Sequence, residues 1–182
     1  MPMLEQRIQQ QFFESADLLS QTAEALSKPI ADATQALLGC ITAGGKVMLC
    51  GSGLTAVLAQ HGAASMVGRF ERDRPGLAAL AVAGAAEVQA LGAPGDVLLA
   101  FSAASPAAGL SAVVDAAHGK DMTVIALTGR DAGGLLAQLG ETDVHIAVPY
   151  DRTARIHEVQ TLVLHCLCDA LDLQLLGEQE PT

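Results

Sequence analysis

The apolar positions of this chain change their spacing partway along. Over residues 3–26 they fall at Leu4, Ile8, Phe12 and Leu19 among polar side chains, the stripe of an amphipathic helix, and residues 29–43 repeat the pattern. Pro29 suits the first turn of a second helix and Gly44-Gly45 its stop, so two N-terminal helices are expected. From Lys46 onward the apolar residues come in short continuous runs: KVMLC (46–50), LAALAV (77–82), DVLLAF (96–101), MTVIAL (122–127) and DVHIAV (143–148). Such runs read as parallel strands covered on both faces. Helical candidates lie between them at 54–68, 85–91, 106–119 and 133–139, followed by a long one at 153–176. The alternation predicts an α/β fold: right-handed crossovers and a doubly wound, five-stranded parallel sheet. Its ligand crevice belongs beyond the carboxyl ends of the strands, at CGSGLT, SAASPA and TGRDAGG.

The last helix stands apart. From Leu162 to Leu176 it is apolar nearly all round, which predicts burial between subunits. One polar line crosses it at His157, Thr161 and His165, continuing to Asp169. That line is either a register device inside a helix bundle or one wall of a site.

Composition narrows the classes. A chain of 182 residues fits one domain, and 51% hydrophobic content, mostly Ala, Leu and Val, suits closely packed helices on a buried sheet. Each apolar stretch is broken by Gly, Pro or charge before the roughly 20 residues that a bilayer needs, and the N-terminus carries no signal-peptide core. A cytoplasmic protein without a membrane span is expected. A net charge of −10 leaves no surplus of cations for phosphates, which argues against direct nucleic-acid binding and leaves a basic protein partner open. Cys40, Cys50, Cys166 and Cys168 lie inside apolar segments, as buried thiols of a reducing compartment do. Cys166 and Cys168, two apart on a helix, point to different faces and make a poor disulfide or metal pair. His118 and His145 read as structural.

The segment FSAASPAAG (101–109) occupies the place where open α/β sheets bind phosphate, yet it offers only two hydroxyls, Ser102 and Ser105, and no glycine before Gly109. Ser105 is placed to cap the following helix, with Pro106 in its first turn.

Several longer pieces carry a resemblance: GGKVMLCGSG, AQHGAASMVGRFERDRPGL, APGDVLLAFS, MTVIALTGRDAGG and ARIHEV…HCLCD, in this order over most of the chain. As a set they resemble the sugar isomerase (SIS) domain of the phosphoheptose isomerase family, and within it the DiaA-type initiator-associating branch. The resemblance implies a flavodoxin-like SIS domain at 45–182, with the N-terminal helices of 1–44 as part of the same domain and as oligomer contacts in a homotetramer. Isomerases of the family convert sedoheptulose 7-phosphate through an enediol-type intermediate, often with zinc. That chemistry needs a phosphate anchor, a base and an acid. Carried onto this chain, the resemblance points to His61 and His165 as catalytic, to Ser52, Thr55, Arg69, Ser102, Ser105 and Thr128 as substrate contacts, and to His61, His157 and His165 as zinc ligands.

Three departures weigh against activity. The family's hydroxyl-rich loop Ser-Thr-Ser-Gly-Asn-Ser becomes Ser102, Ala103, Ala104, Ser105, Pro106 and Ala107, which removes three of four hydroxyls and one N–H. The family's Glu four residues after His61 is Ser65 here, which is no base without an activator. The segment AGAAEVQALGAPG is about half as long as the family's crossover and lacks its Asn-Asp pair. Together these favour a non-catalytic, homotetrameric regulator that binds the replication initiator DnaA. The alternatives are a diverged phosphoheptose isomerase and a module that binds some phosphosugar.

Overall fold

The computed structural model describes residues 2–103 and 108–178. The apolar runs form five strands within one or two residues of the expected places: β1 (Val47–Gly51), β2 (Ala79–Val82), β3 (Val97–Phe101), β4 (Thr123–Thr128) and β5 (Val144–Ala147). All pairings are parallel, in the order β2-β1-β3-β4-β5. This is the flavodoxin-like order, and its direction of winding reverses between β1 and β3.

The sheet is buried on both faces, which explains why its strands read as unbroken apolar runs. Met48, Cys50, Leu98, Ala100, Val124 and Ala126 face α3 (Ala85–Leu91) and α4 (Ser111–His118). Leu49, Leu99, Phe101, Ile125 and Leu127 face the other layer, formed by α1 (Pro2–Thr42), α2 (Thr55–Val67) and α5 (Thr153–Leu176).

Three expectations are corrected. The two N-terminal helices are one helix, α1, with Pro29 inside it. Proline removes the N–H that would bond the Ala25 carbonyl. The helix nevertheless continues because Leu18 and Leu26 before the proline and Ala33, Leu37 and Cys40 after it are buried in the same core. The candidate at 133–139 is a 3₁₀ turn, Gly133–Ala137, and Gly133 has φ +57°. The candidate at 106–119 begins, within the described residues, as a 3₁₀ turn at Ala108–Leu110 leading into α4; the expected cap at Ser105-Pro106 lies outside the described residues.

The membrane expectation also needs correction in one respect. Helix α5 is long and apolar enough to cross a bilayer by length and composition, with a mean hydropathy of 1.3 over its best window. Of that window 44% is buried inside the fold, and Ile156, Val159, Val163, Leu164, Leu167 and Leu171 make it a core helix. Its outer side stays open at Leu162, Leu173 and Leu176.

All four cysteines are free. Burial, reinforced by the nearby Asp172 carboxylate, pushes the Cys168 thiol up to about 12. Cys168 is therefore expected to resist iodoacetamide at pH 8 in the folded protein and to react once the chain is unfolded. Mass mapping of alkylated peptides checks this, and rapid native labelling would overturn it.

Candidate active site

At the reversal point the chain leaves β1 through Ser52-Gly53 and leaves β3 through Ser102-Ala103. Gly53 has φ +59°, so the turn into α2 uses a backbone region that side chains rarely adopt. Gly51 is equally constrained, since a Cβ there would lie 2.2 Å from the Thr55 carbonyl oxygen. Thr55 braces both strand ends: its Oγ1 accepts the Ser52 N–H at 3.0 Å and lies 2.9 Å from the Ser52 and Phe101 carbonyls as donor. Gly109 returns over this turn, close enough that a Cβ on it would meet Ser52 at 3.3 Å. Beside the crevice, the ends of β1 and β2 border an open pocket of about 310 Å³ lined by Gly51, Gln60, Val82, Ala83 and Glu87. It lies next to the shortened crossover, whose helix α3 has only seven residues.

The structure sorts the expected substrate contacts. Ser52 and Arg69 are exposed. Thr55, Ser102 and Thr128 are 1%, 1% and 0% exposed. Thr128 Oγ1 bonds the Gly129 carbonyl at 2.8 Å and lies 2.9 Å from His145 Nε2. Burial lowers the basicity of His145, which favours its neutral form in this contact. His118 pairs with the buried Asp143 at 2.8 Å. Thr55 and Thr128 thus serve backbone groups at strand ends, where the sheet ladder stops supplying partners. Ser105 lies outside the described residues.

The two catalytic candidates do meet. Helix α2 turns Leu58, Ala59, Gly62, Ala63 and Met66 into the core, leaving His61 exposed on the side of α5. Gly62 allows the close approach: a Cβ there would lie 2.6 Å from Leu49 Cδ2 and 3.0 Å from Leu164 Cδ1. Across this contact His61 Nε2 stands 3.1 Å from His165 Nε2, a hydrogen bond between residues 104 apart in sequence. The rings are 5.3 Å apart and tilted by 60°, and Phe70 packs 5.3 Å from the His165 ring on another side.

The third expected zinc ligand does not join them. His157 precedes His165 by two helical turns, roughly 12 Å along the axis, and its Nε2 is buried without a hydrogen-bond partner. Among the described residues no three His, Cys, Asp or Glu side chains converge on a common point. A catalytic zinc takes three protein ligands, so a pair of imidazoles with Ser65 beside it does not make the site that the resemblance implied.

Two sets of polar residues escaped the sequence reading. Arg74 reaches the buried Asp172 of α5 at 2.5 Å and caps the end of α2 through the Ser65, Met66 and Gly68 carbonyls. Arg72 caps α5 through the Asp172 and Gly177 carbonyls. Basic residues just past the end of α2 are the signal that was available for these caps. Gln160, fully buried on α5, bonds the Ser102 and Leu127 carbonyls, and nothing in its apolar sequence context announces it.

A doubly wound sheet with its crevice at the reversal point places the chain in the open α/β class, and a family profile described as SIS domain matches residues 11–93. The phosphoheptose isomerase of Methylibium petroleiphilum is 62% identical, with the match covering all of both chains; that of Thiobacillus denitrificans is 44% identical over 97% of this chain and 99% of its own. Among solved structures, phosphoheptose isomerase GmhA from Neisseria gonorrhoeae superposes with a TM-score of 0.86 at 37% identity, covering 93% of this chain and 98% of that one. The phosphoheptose isomerase from Francisella tularensis gives 0.87 at 35% identity, covering 94% and 99%. The chain belongs to the phosphoheptose isomerase family of SIS-domain proteins.

These relatives overturn the expectation of a non-catalytic regulator. Their identity extends over the whole chain and they are named as isomerases, while a DnaA partner and a role in replication initiation gain no support from them. The altered residues at SAASPA and Ser65 do not outweigh similarity of this extent.

Proposed function

We propose that this protein is a phosphoheptose isomerase that interconverts sedoheptulose 7-phosphate and its aldose isomer, with His61 and His165 as the proton-transfer unit. The observation that carries the reading is the 3.1 Å contact between the two Nε2 atoms. It is supported by the naming of relatives up to 62% identical.

The chemistry requires a proton to leave the carbon next to the carbonyl, an enediol-type intermediate, and proton return to the neighbouring carbon. A neutral imidazole has one N–H and one lone pair, so a bonded pair offers an acid and a base at once. One Nε2 donates and the other accepts; a proton taken up by one ring passes to its partner across the shared bond. The unit thereby replaces the carboxylate that Ser65 does not supply. Gly62 sets the helix spacing, Phe70 fixes the His165 ring, and Arg74 fixes the end of α2 against α5. At the phosphate end, Ser52, in the turn into α2, is the exposed candidate for the anion; Arg69 follows the opposite end of α2, about 20 Å away. No step is routed through zinc, because the donor set is incomplete.

The test is conversion of sedoheptulose 7-phosphate by the purified full chain, followed by discontinuous product analysis. Turnover supports the reading, and no conversion with or without added zinc overturns it.

We also propose a homotetramer. Its support is the apolar side left open on the helical layer: Met3, Leu4, Ile8 and Phe12 on α1, and Leu162, Leu173 and Leu176 on α5, are between 40% and 83% exposed. Light scattering coupled to gel filtration is expected to give four times the 18.6 kDa chain mass. Substitution of Ile8 and Phe12 by glutamate is expected to lower that mass, and a monomeric wild type would overturn the proposal.

A further inference from the structure

Gln160 lies on α5 between His157 and His165 and is fully buried. Its Nε2 donates to the Ser102 carbonyl at 2.9 Å and to the Leu127 carbonyl at 3.2 Å. The first carbonyl is at the exit of β3, beside the exit of β1 that Ser52 follows. The second is near the end of β4, and it also accepts the Ser102 N–H at 2.9 Å. One side-chain amide therefore ties α5 to two strand ends directly beneath the crevice.

The other half of that amide is unsatisfied. Gln160 Oε1 is buried with no hydrogen-bond partner, and so is His157 Nε2 one turn earlier. The rest of this stretch of α5 buries Ile156, Val159, Val163 and Leu164. An apolar side chain of equal length at 160 would fill the same volume without stranding an acceptor, and orphaned buried acceptors are uncommon because they lose their hydration for nothing. A group retained against that loss serves the geometry it fixes.

We propose that Gln160 is a positioning residue: it sets the exit of β3 at Ser102 relative to α5, and through it the distance from the neighbouring Ser52 end of the crevice to the His61–His165 pair. The proposal rests on the isomerase reading for its kinetic arm only, since its binding arm is independent of turnover. Neither half of the His pair touches Gln160 in the contacts described, so its effect is on placement of the ligand and not on the proton transfer.

The experiment compares the full-length wild type with Gln160→Met and Gln160→His, reading KM, kcat against pH, and the Kd of sedoheptulose 7-phosphate by calorimetry. Gln160→Met removes the donor, and KM and Kd are expected to rise together by about tenfold, the effect of roughly one positioning hydrogen bond. The pH profile of kcat stays where it is. Gln160→His places an imidazole N–H at a reach similar to that of the lost amide and is expected to recover most of the affinity. A purely structural role predicts a lower Tm with KM and Kd unchanged. Folded Gln160→Met with KM and Kd within about twofold of wild type, the range of ordinary surface substitutions, overturns the proposal, as does Gln160→His binding no better than Gln160→Met. If Gln160→Met does not fold, Gln160→Asn, which shortens the reach by one bond, is read by the same criteria. A wild type that binds the sugar phosphate without turning it over, with binding weakened in Gln160→Met, sinks the isomerase reading and leaves the positioning role standing. A wild type that neither binds nor converts it overturns both.

Discussion

Replacing His61 or His165 by alanine is expected to lower kcat for sedoheptulose 7-phosphate by about 10²- to 10⁴-fold, the usual contribution of a positioned general acid or base. His61 is exposed and His165 half-buried, so neither change opens a core cavity, and circular dichroism and Tm should stay close to wild type. KM should change far less than kcat, because the pair acts on the reacting carbons and oxygens while Ser52 is assigned the phosphate end. The double variant is the sharper measurement. Two residues that form one proton-transfer unit lose most of their effect when either is removed, so His61→Ala/His165→Ala should be hardly slower than the worse single variant. Independent multiplication of the two losses would show that the 3.1 Å contact is not the functional unit. Either single variant retaining activity within about threefold, too little for loss of a catalytic acid or base, would remove the residue from the mechanism.

The second large effect concerns stability. Asp172→Ala leaves Arg74 without its carboxylate in a place where both side chains are buried, at 2% and 1% exposure. Removing one partner of a buried ion pair costs about 3–5 kcal/mol. The lower end is expected here, because the guanidinium keeps the carbonyls of Ser65, Met66, Gly68 and Pro75 as acceptors. For a chain of this size about 3 kcal/mol corresponds to a fall of roughly 6–12 °C in Tm. The pair locks the end of α2 to α5, the same two helices that carry His61 and His165, so the variant should also lose activity at temperatures well below its Tm. Differential scanning calorimetry decides the first point, and a shift below about 2 °C, less than one kcal/mol at this chain length, would mean that the pair contributes little net stability.

Much of the fold was legible because its signals are local. Each strand is an unbroken apolar run, and the run is unbroken because α3 and α4 cover one face while α1, α2 and α5 cover the other. The parallel pairing followed from helices alternating with strands, while the flavodoxin-like arrangement was implied by the resemblance. Where local signals misled, tertiary burial prevailed over them: Pro29 suggested a break in α1, but apolar residues on both sides of it share one core. At 133–139 the reverse happened, since two glycines and too few buried contacts left only a 3₁₀ turn.

The site was legible only in its parts. His61, His165 and the polar line on α5 were found from spacing and resemblance, and so was the poverty of hydroxyls around Ser102. The resemblance grouped His61 and His165 together with His157, and the structure brings only the first two into contact. The polar line suggested that His157 stands with His165, yet the structure unites His165 with His61 and leaves His157 Nε2 buried and unpaired two turns away. The resemblance placed Thr55 and Thr128 among the substrate contacts, and in the structure their hydroxyls bond backbone groups at strand ends.

The sequence by itself determined the layer architecture, the parallel sheet and the place of the crevice, because periodicity and helix stops act within a few residues of chain. Only the tertiary structure decided which polar groups meet. The His61–His165 bond spans 104 residues, the Arg74–Asp172 pair 98, and the Gln160 bonds to Ser102 and Leu127 58 and 33. Contacts at such separations depend on how closely α2 and α5 approach, and that distance is set by the absent side chain of Gly62 and the packing of Leu49 and Leu164 around it.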